Sequence, residues 1–219
     1  MSQWDRYTID GPAGALEVAV GQAEGEARGI AVICHPHPLY GGTLDNKVAY
    51  TLARAAEQSG LISVRFNFRS VGDSEGLHDG GAGELDDALA VVEHARQQFD
   101  EQPLLMAGFS FGGWVSLHAA SRCDPAQLVT VAPALSYTAL GGVPRLDCPW
   151  FYIHGEADDV IAASDNRKTL ASLDKPPEQL WLPEVGHFFH GHLTELREQV
   201  SQAIVARWAG LRCPDSWRV

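Results

Sequence analysis

The sequence predicts an α/β protein with a mostly parallel central sheet, helices on both of its faces, and an antiparallel hairpin at the N-terminus. Three observations lead there. Apolar runs such as Ile30-Ala31-Val32-Ile33-Cys34 are short and unbroken, as in strands buried on both faces. They alternate with segments whose apolar residues recur at helical spacing. Glycine and proline clusters punctuate the boundaries. Strands that alternate with helices become parallel neighbours through right-handed crossovers.

Taken in order, Arg6 to Asp10 and Ala15 to Val20 flank the turn-rich link Gly11-Pro12-Ala13-Gly14, which predicts the hairpin. Ile30 to Cys34 is a strand. Asn46 to Gln58 is a helix, with Val48, Leu52 and Ala55 on one face and Gly60 ending it. Leu61 to Asn67 is a strand, followed by a glycine-rich loop from Ser70 to Gly83. The helix Glu84 to Gln97 places Leu85, Ala88, Leu89 and Val92 together. Leu104 to Gly108 is a strand, Phe111 to Ala120 a helix, Leu128 to Val131 a strand and Trp150 to His154 another. A helix near Ala163 to Leu173, a strand near Gln179 to Leu182 and a helix from Leu193 to Trp208 finish the set. No repeat or composition break appears, and 219 residues suit one domain spanning 1–219.

Composition narrows the function. The formal net charge is −12, which repels phosphate backbones and anionic membranes, so neither nucleic acid nor a membrane is an expected partner. No apolar run approaches the roughly 18 residues of a membrane span. The N-terminus lacks the basic-then-apolar pattern of a signal peptide. Cys34, Cys123, Cys148 and Cys213 are widely spaced, with no C-x-x-C pair, and read as reduced thiols of a cytoplasmic protein.

In doubly wound sheets ligands sit beyond the carboxyl ends of the strands, so the loops there carry the chemistry. Gly108-Phe109-Ser110-Phe111-Gly112 matches G-x-S-x-G between a strand and a helix, the nucleophile elbow of α/β-hydrolases. Gly72-Asp73-Ser74-Glu75-Gly76 also matches but is followed by loop, so Ser110 is preferred. The bland alternative for Ser110 is a helix N-cap. A serine nucleophile needs a base and the base an orienter, in the chain order Ser, Asp or Glu, His. The loop His154-Gly155-Glu156-Ala157-Asp158-Asp159 supplies the acid, with Asp158 first and Asp159 and Glu156 next. Among His187, His190 and His192, His187 comes soonest after a strand and is flanked by Phe188 and Phe189. With His35 and His37 these make a His-rich set, but H-x-x-H-x-H is not a zinc spacing, and no metal is expected. His78, His94 and His118 read as surface or core residues.

The oxyanion donors should be the N–H of Phe111 and one from the loop Cys34-His35-Pro36-His37-Pro38-Leu39-Tyr40-Gly41-Gly42. Prolines cannot donate. His37 and Tyr40 stay open as the second donor; the plain reading is a rigid connector with incidental histidines.

Six segments now carry a resemblance over nearly the whole chain. They are His35-Pro36-His37-Pro38 with Gly41-Gly42, Arg65-Phe66-Asn67-Phe68-Arg69, Gly83-Glu84, Gly108 to Gly113, His154-Gly155-Glu156-Ala157-Asp158, and Gly186-His187-Phe188-Phe189. The sequence resembles the small bacterial α/β-hydrolases related to dienelactone hydrolase, some of which lack a lid. The resemblance implies the α/β-hydrolase fold and a triad of Ser110, Asp158 and His187. One departure is Ser70, where relatives often carry Gly. Ala132 to Pro149 is too short for a cap domain, which implies an open site and weak selectivity among acyl groups. The expected activity is cleavage of small carboxylic esters through an acyl-enzyme, on a small-molecule acyl substrate and without a cofactor. Thioesterase and peptidase or amidase chemistry use the same triad, and a non-catalytic binding module keeps the same fold.

Overall fold

Alternation of side chains across the strands decides the architecture. In β3 (Ile30–Cys34), Ile30, Val32 and Cys34 enter one core while Ala31 and Ile33 enter another, so both faces must be covered. The same split recurs in β5 (Leu104–Phe109), β6 (Gln127–Val131) and β7 (Trp150–Gly155). The computed structural model describes residues 4–100 and 102–208, and Cys213 lies outside them. With β1 (Asp5–Gly11), β2 (Gly14–Gly21), β4 (Ile62–Phe66) and β8 (Glu178–Leu182), these strands form a sheet of order β1-β2-β4-β3-β5-β6-β7-β8. The β1–β2 hairpin turns in register at Gly11 and Gly14, and β2 joins β4 antiparallel. From β4 to β8 every pairing is parallel. Helices α1 (Lys47–Gln58) and α5 (Leu193–Trp208) cover one face, through residues such as Leu52, Leu196, Val200 and Ile204. Helices α2 (Ala82–Gln98) and α3 (Phe111–Cys123) cover the other, joined by Leu170 of α4 (Ala163–Ala171).

The predicted elements recur, with small shifts at their ends. Asn46 is the N-cap of α1, its side-chain oxygen accepting from the N–H groups of Val48 and Ala49 at 2.9 and 3.3 Å. Helix α2 starts at Ala82 rather than Glu84, because the Asp79 carboxylate accepts from the Gly83 N–H at 2.8 Å and draws the first turn forward. Ser70 takes φ 69°, the left-handed conformation that glycine adopts most easily, so the loop keeps this backbone shape without the glycine. No helix or strand lies between β6 and β7, so the fold has no cap domain. Among the described residues no helix is long and apolar enough to cross a membrane.

Strand order places the site. The chain runs from β3 out to β4 on one side, then returns to β5 on the other side of β3. Loops leaving the carboxyl ends of β3 and β5 therefore diverge and leave a crevice between them. Cys34 and Gly108 stand opposite each other at that edge. Ile204, fully buried between α5 and the sheet, follows Ala203, whose carbonyl accepts from Gln127 at the amino end of β6, the end of the sheet away from the crevice. Ile204→Ala should lose about 2–5 kcal/mol of unfolding free energy in urea, with the reactivity of Ser110 in native buffer unchanged.

Candidate active site

The site begins with a turn that only small residues permit. Ser110, between β5 and α3, has φ 56° and ψ −119°, a region that costs a non-glycine residue about 1–3 kcal/mol. A Cβ on Gly108 would lie 2.2 Å from the Gly112 carbonyl oxygen. One on Gly112 would lie 2.2 Å from the His35 carbonyl oxygen. The two glycines thus let α3 start directly against the ends of β5 and β3. The turn is held by its backbone: Ser110 N–H donates to Val131 O at 3.0 Å, and Ser110 O accepts from the N–H groups of Trp114 and Ala134 at 3.1 and 3.2 Å. Although Ser110 occupies the N-cap position, its hydroxyl caps nothing. The competing motif has a structural use, since Ser74 Oγ donates to Asn67 O at 2.7 Å and accepts from Glu17 N–H at 2.9 Å.

The hydroxyl of Ser110 faces His187, whose Nε2 is 3.1 Å from Oγ. Nδ1 of His187 lies 2.7 Å from Asp158 Oδ2. The imidazole is held between aromatic groups, with its centroid 4.9 Å from the Phe109 ring and 5.0 Å from the edge-on Phe188 ring, while Phe189 anchors the loop in the core. Asp158 Oδ1 accepts from the N–H groups of Val160 and Ile161 at 2.9 and 2.7 Å. Burial pushes the carboxyl up, but hydrogen bonds from His154, His187 and the Ile161 N–H outweigh it and hold Asp158 well below the usual carboxylate range. The neighbouring acids are elsewhere: Asp159 is exposed, and Glu156 pairs with Arg167 at the surface. His154 was not singled out by the sequence, yet its Nε2 stands 3.2 Å from Asp158 Oδ2.

The other histidines disperse. His190 is exposed and His192 pairs with Glu195 at 3.0 Å. His94 meets the Tyr7 hydroxyl at 3.2 Å, and His118 is buried beside Trp114. His78 is part-buried: its Nδ1 is 2.7 Å from the buried Glu84 carboxylate, and its ring is 4.9 Å from that of His37. Among the described residues no three His, Cys, Asp or Glu side chains converge as a metal site.

His35 is fully buried and not incidental. Its Nε2 accepts from Phe68 N–H at 3.0 Å and its Nδ1–H donates to Pro36 O at 2.6 Å, clipping the loop after β3 to the loop after β4. In that loop Tyr40 N–H donates to His37 O at 3.1 Å, and Leu39 N–H to His37 Nδ1 at 3.2 Å. The Arg65-to-Arg69 segment is a second anchor. Arg65 donates to Leu44 O at 2.6 Å, Asn67 Oδ1 accepts from Leu44 N–H at 2.8 Å, and Arg69 pairs with buried Asp87 at 2.8 Å. A cavity of about 1240 Å³ opens beside Gln127, Trp150 and Glu178, at the amino ends of β6 to β8. It contains no member of the triad, so its size does not make it the reaction site.

A strained serine at a strand-to-helix turn, joined through an imidazole to a buried carboxylate, defines a serine hydrolase of α/β architecture. Residues 25–145 match the family model described as serine aminopeptidase, S33. A serine hydrolase without a lid from Xanthomonas campestris is 38% identical, with 98% of each chain covered and a TM-score of 0.89. An α/β serine hydrolase homologue from Coxiella burnetii is also 38% identical, covering 93% of this chain and 98% of its own, with a TM-score of 0.88. Dienelactone hydrolase from Anabaena variabilis shares the fold at 18% identity, 92% and 96% coverage and a TM-score of 0.75. The chain belongs to the S33 serine aminopeptidase family of α/β-hydrolases, in a lidless form.

Two outcomes test this construction. Gly112→Ala must push α3 off the backbone of β3; hydrolytic activity should fall about a hundredfold, read as the rate of active-serine labelling. Burial lowers His35 from its ordinary value near 6.5 to about 4. The unfolded chain then binds a proton below about 6.5 that the folded chain refuses until about 4, so stability falls as pH drops through that window. Denaturation midpoints should show this slope, and His35→Phe should flatten it while lowering stability at pH 7. His118, lowered to about 4 by burial and by Arg122, leaves a residual slope.

Proposed function

We propose that the protein is a carboxylesterase-like hydrolase that cleaves small uncharged carboxylic esters through an acyl-enzyme on Ser110. The carrying observation is the unbroken hydrogen-bond line from Ser110 Oγ through His187 to Asp158 at a strained elbow. His187 Nε2 takes the serine proton as Oγ attacks the carbonyl carbon. Asp158 holds the imidazole with Nδ1–H toward the carboxylate and stabilises the imidazolium. His187 then gives its proton to the leaving alkoxide. Water, deprotonated by the same nitrogen, attacks the acyl-enzyme, and the imidazolium returns that proton to the departing Ser110 oxygen as the carboxylic acid leaves. For the oxyanion we assign the N–H of Phe111, at the first turn of α3, where no preceding helical carbonyl engages it. The second donor is His37 N–H, because the Tyr40 N–H is already engaged by His37 O.

The rim supports an uncharged substrate. Leu39, Tyr40, Leu77, Val160 and Phe188 are large exposed apolar residues, and all belong to loops at the carboxyl ends of strands. Such a rim favours apolar acyl or alkoxy groups, while the net charge of −12 disfavours polyanions. We place the chain, read as one domain over 1–219, in the cytoplasm, in keeping with the free thiols of Cys34, Cys123 and Cys148.

A fluorophosphonate probe should modify Ser110 in the wild type and leave Ser110→Ala unlabelled. Ester turnover should fall in that variant by about 10⁵-fold or more. Matched ester, thioester and amide substrates with one acyl group rank the chemistries. Faster amide cleavage makes the protein a peptidase instead, and a folded protein that neither labels nor turns over ester is a binding module.

A further inference from the structure

His154 belongs to a line of polar groups that the triad chemistry leaves unused. It is fully buried at the end of β7. Asn166 of α4 donates from Nδ2 to Pro133 O at 2.8 Å and to the Tyr152 hydroxyl at 3.0 Å. That hydroxyl is 2.6 Å from His154 Nδ1. On its other side, His154 Nε2 meets two acceptors, Ile161 O at 3.0 Å and Asp158 Oδ2 at 3.2 Å. Two acceptors at Nε2 require the proton there, which leaves Nδ1 to accept from Tyr152 O–H. The direction of the line is therefore set from Asn166 through Tyr152 to His154 and on to the acid.

At the carboxylate this completes a shell. Oδ1 faces two backbone N–H groups, and Oδ2 faces His187 Nδ1 and His154 Nε2. Three N–H groups donate to the ionised carboxylate outright, and the single His154 Nε2–H, shared between Ile161 O at 3.0 Å and Oδ2 at 3.2 Å, stands beside them, so a turn of Asp158 would break bonds on both oxygens. His154 also grips Ile161 O, while Ile161 N–H grips Asp158, which closes the acid loop on itself. Pro133, at the far end, precedes Ala134, whose N–H donates to Ser110 O. The line thus ties the acid loop back to the elbow.

We propose that His154, fixed in its Nε2–H form by Tyr152 and Asn166, is a positioning residue that holds Asp158 in the orientation His187 requires. This rests on the proposed hydrolase activity. The groups that face the pair are few: Tyr152 from β7, Asn166 from α4, the Trp181 ring of β8 at 5.4 Å with Arg167 stacked on it and paired to Glu156, and His187 itself. Without the second imidazole donor the carboxylate becomes more basic and freer to turn. A more basic carboxylate favours the imidazolium, and a freer one orients it less well.

The test compares wild type, His154→Phe, His154→Gln and Tyr152→Phe on one ester across pH, with fluorophosphonate labelling rates and thermal melts. His154→Phe should lower kcat by about tenfold to a hundredfold with KM little changed, and should move the acid limb of kcat/KM to higher pH. His154→Gln, which offers an N–H toward the same acceptors, should recover most of kcat and return the acid limb toward wild type. Tyr152→Phe touches no atom of Asp158 and should lower kcat less, in the same sense; it decides the matter if His154→Phe does not fold. Active wild type together with folded variants that keep its kcat and acid limb overturns the proposal. Equal losses in His154→Phe and His154→Gln overturn it as well. An inactive, unlabelled wild type instead overturns the hydrolase reading on which it stands.

Discussion

The close approach of α3 to the ends of β3 and β5 is the constraint on which the rest of the site depends. Two missing Cβ atoms, at Gly108 and Gly112, allow it. Once the helix starts that near the strands, one residue must bridge them in a left-handed conformation, and Ser110 does. The same approach sets the first turn of α3 against the loop after β3, beside the nucleophile. Hydrophobic packing fixes the helix from behind, through Trp114, Val115 and Leu117, and so sustains a backbone strain that an isolated turn would relax.

Around that elbow, three loops are made rigid by buried polar groups rather than by apolar packing alone. His35 ties the β3 loop to the β4 loop, Arg65 and Asn67 tie the β4 strand to the segment before α1, and the donors around Asp158 fix the acid loop. The His35 and acid-loop bonds satisfy groups that burial would otherwise leave costly, while Arg65 keeps Nε and Nη2 without a hydrogen-bond partner among the described residues and lays its guanidinium over the Trp4 and Tyr50 rings. Preorganisation here is therefore inseparable from folding: the bonds that keep the loops from being frustrated are those that aim the reacting groups.

Much of this was legible in the sequence, and the reasons differ by element. Strands β3, β5 and β7 are unbroken apolar runs, and their burial on both faces follows from that alone. Ser110, Asp158 and His187 were readable because the fold dictates their chain order and each follows a strand. The uses of His35, His78 and His154 were not. A buried histidine satisfied by polar groups of the fold and one exposed to water look alike in sequence, since their partners are set by packing: Phe68 after β4 for His35, Glu84 of α2 for His78, and Tyr152 of the same strand with Asn166 of α4 for His154. Nor does any spacing announce the 3-10 turn at Pro38–Tyr40, where Tyr40 N–H is taken by His37 O and on which the proposal of His37 as second donor rests.

The uncapped stretch between β6 and β7 bears on the second half of the proposed reaction, after Ser110 would be acylated. No helix or strand there folds over the acyl group. On that proposal a small alcohol dissolved at high concentration would compete with water for the same proton acceptor and carry the acyl group away as a new ester, so the medium would help set the fate of the acyl-enzyme.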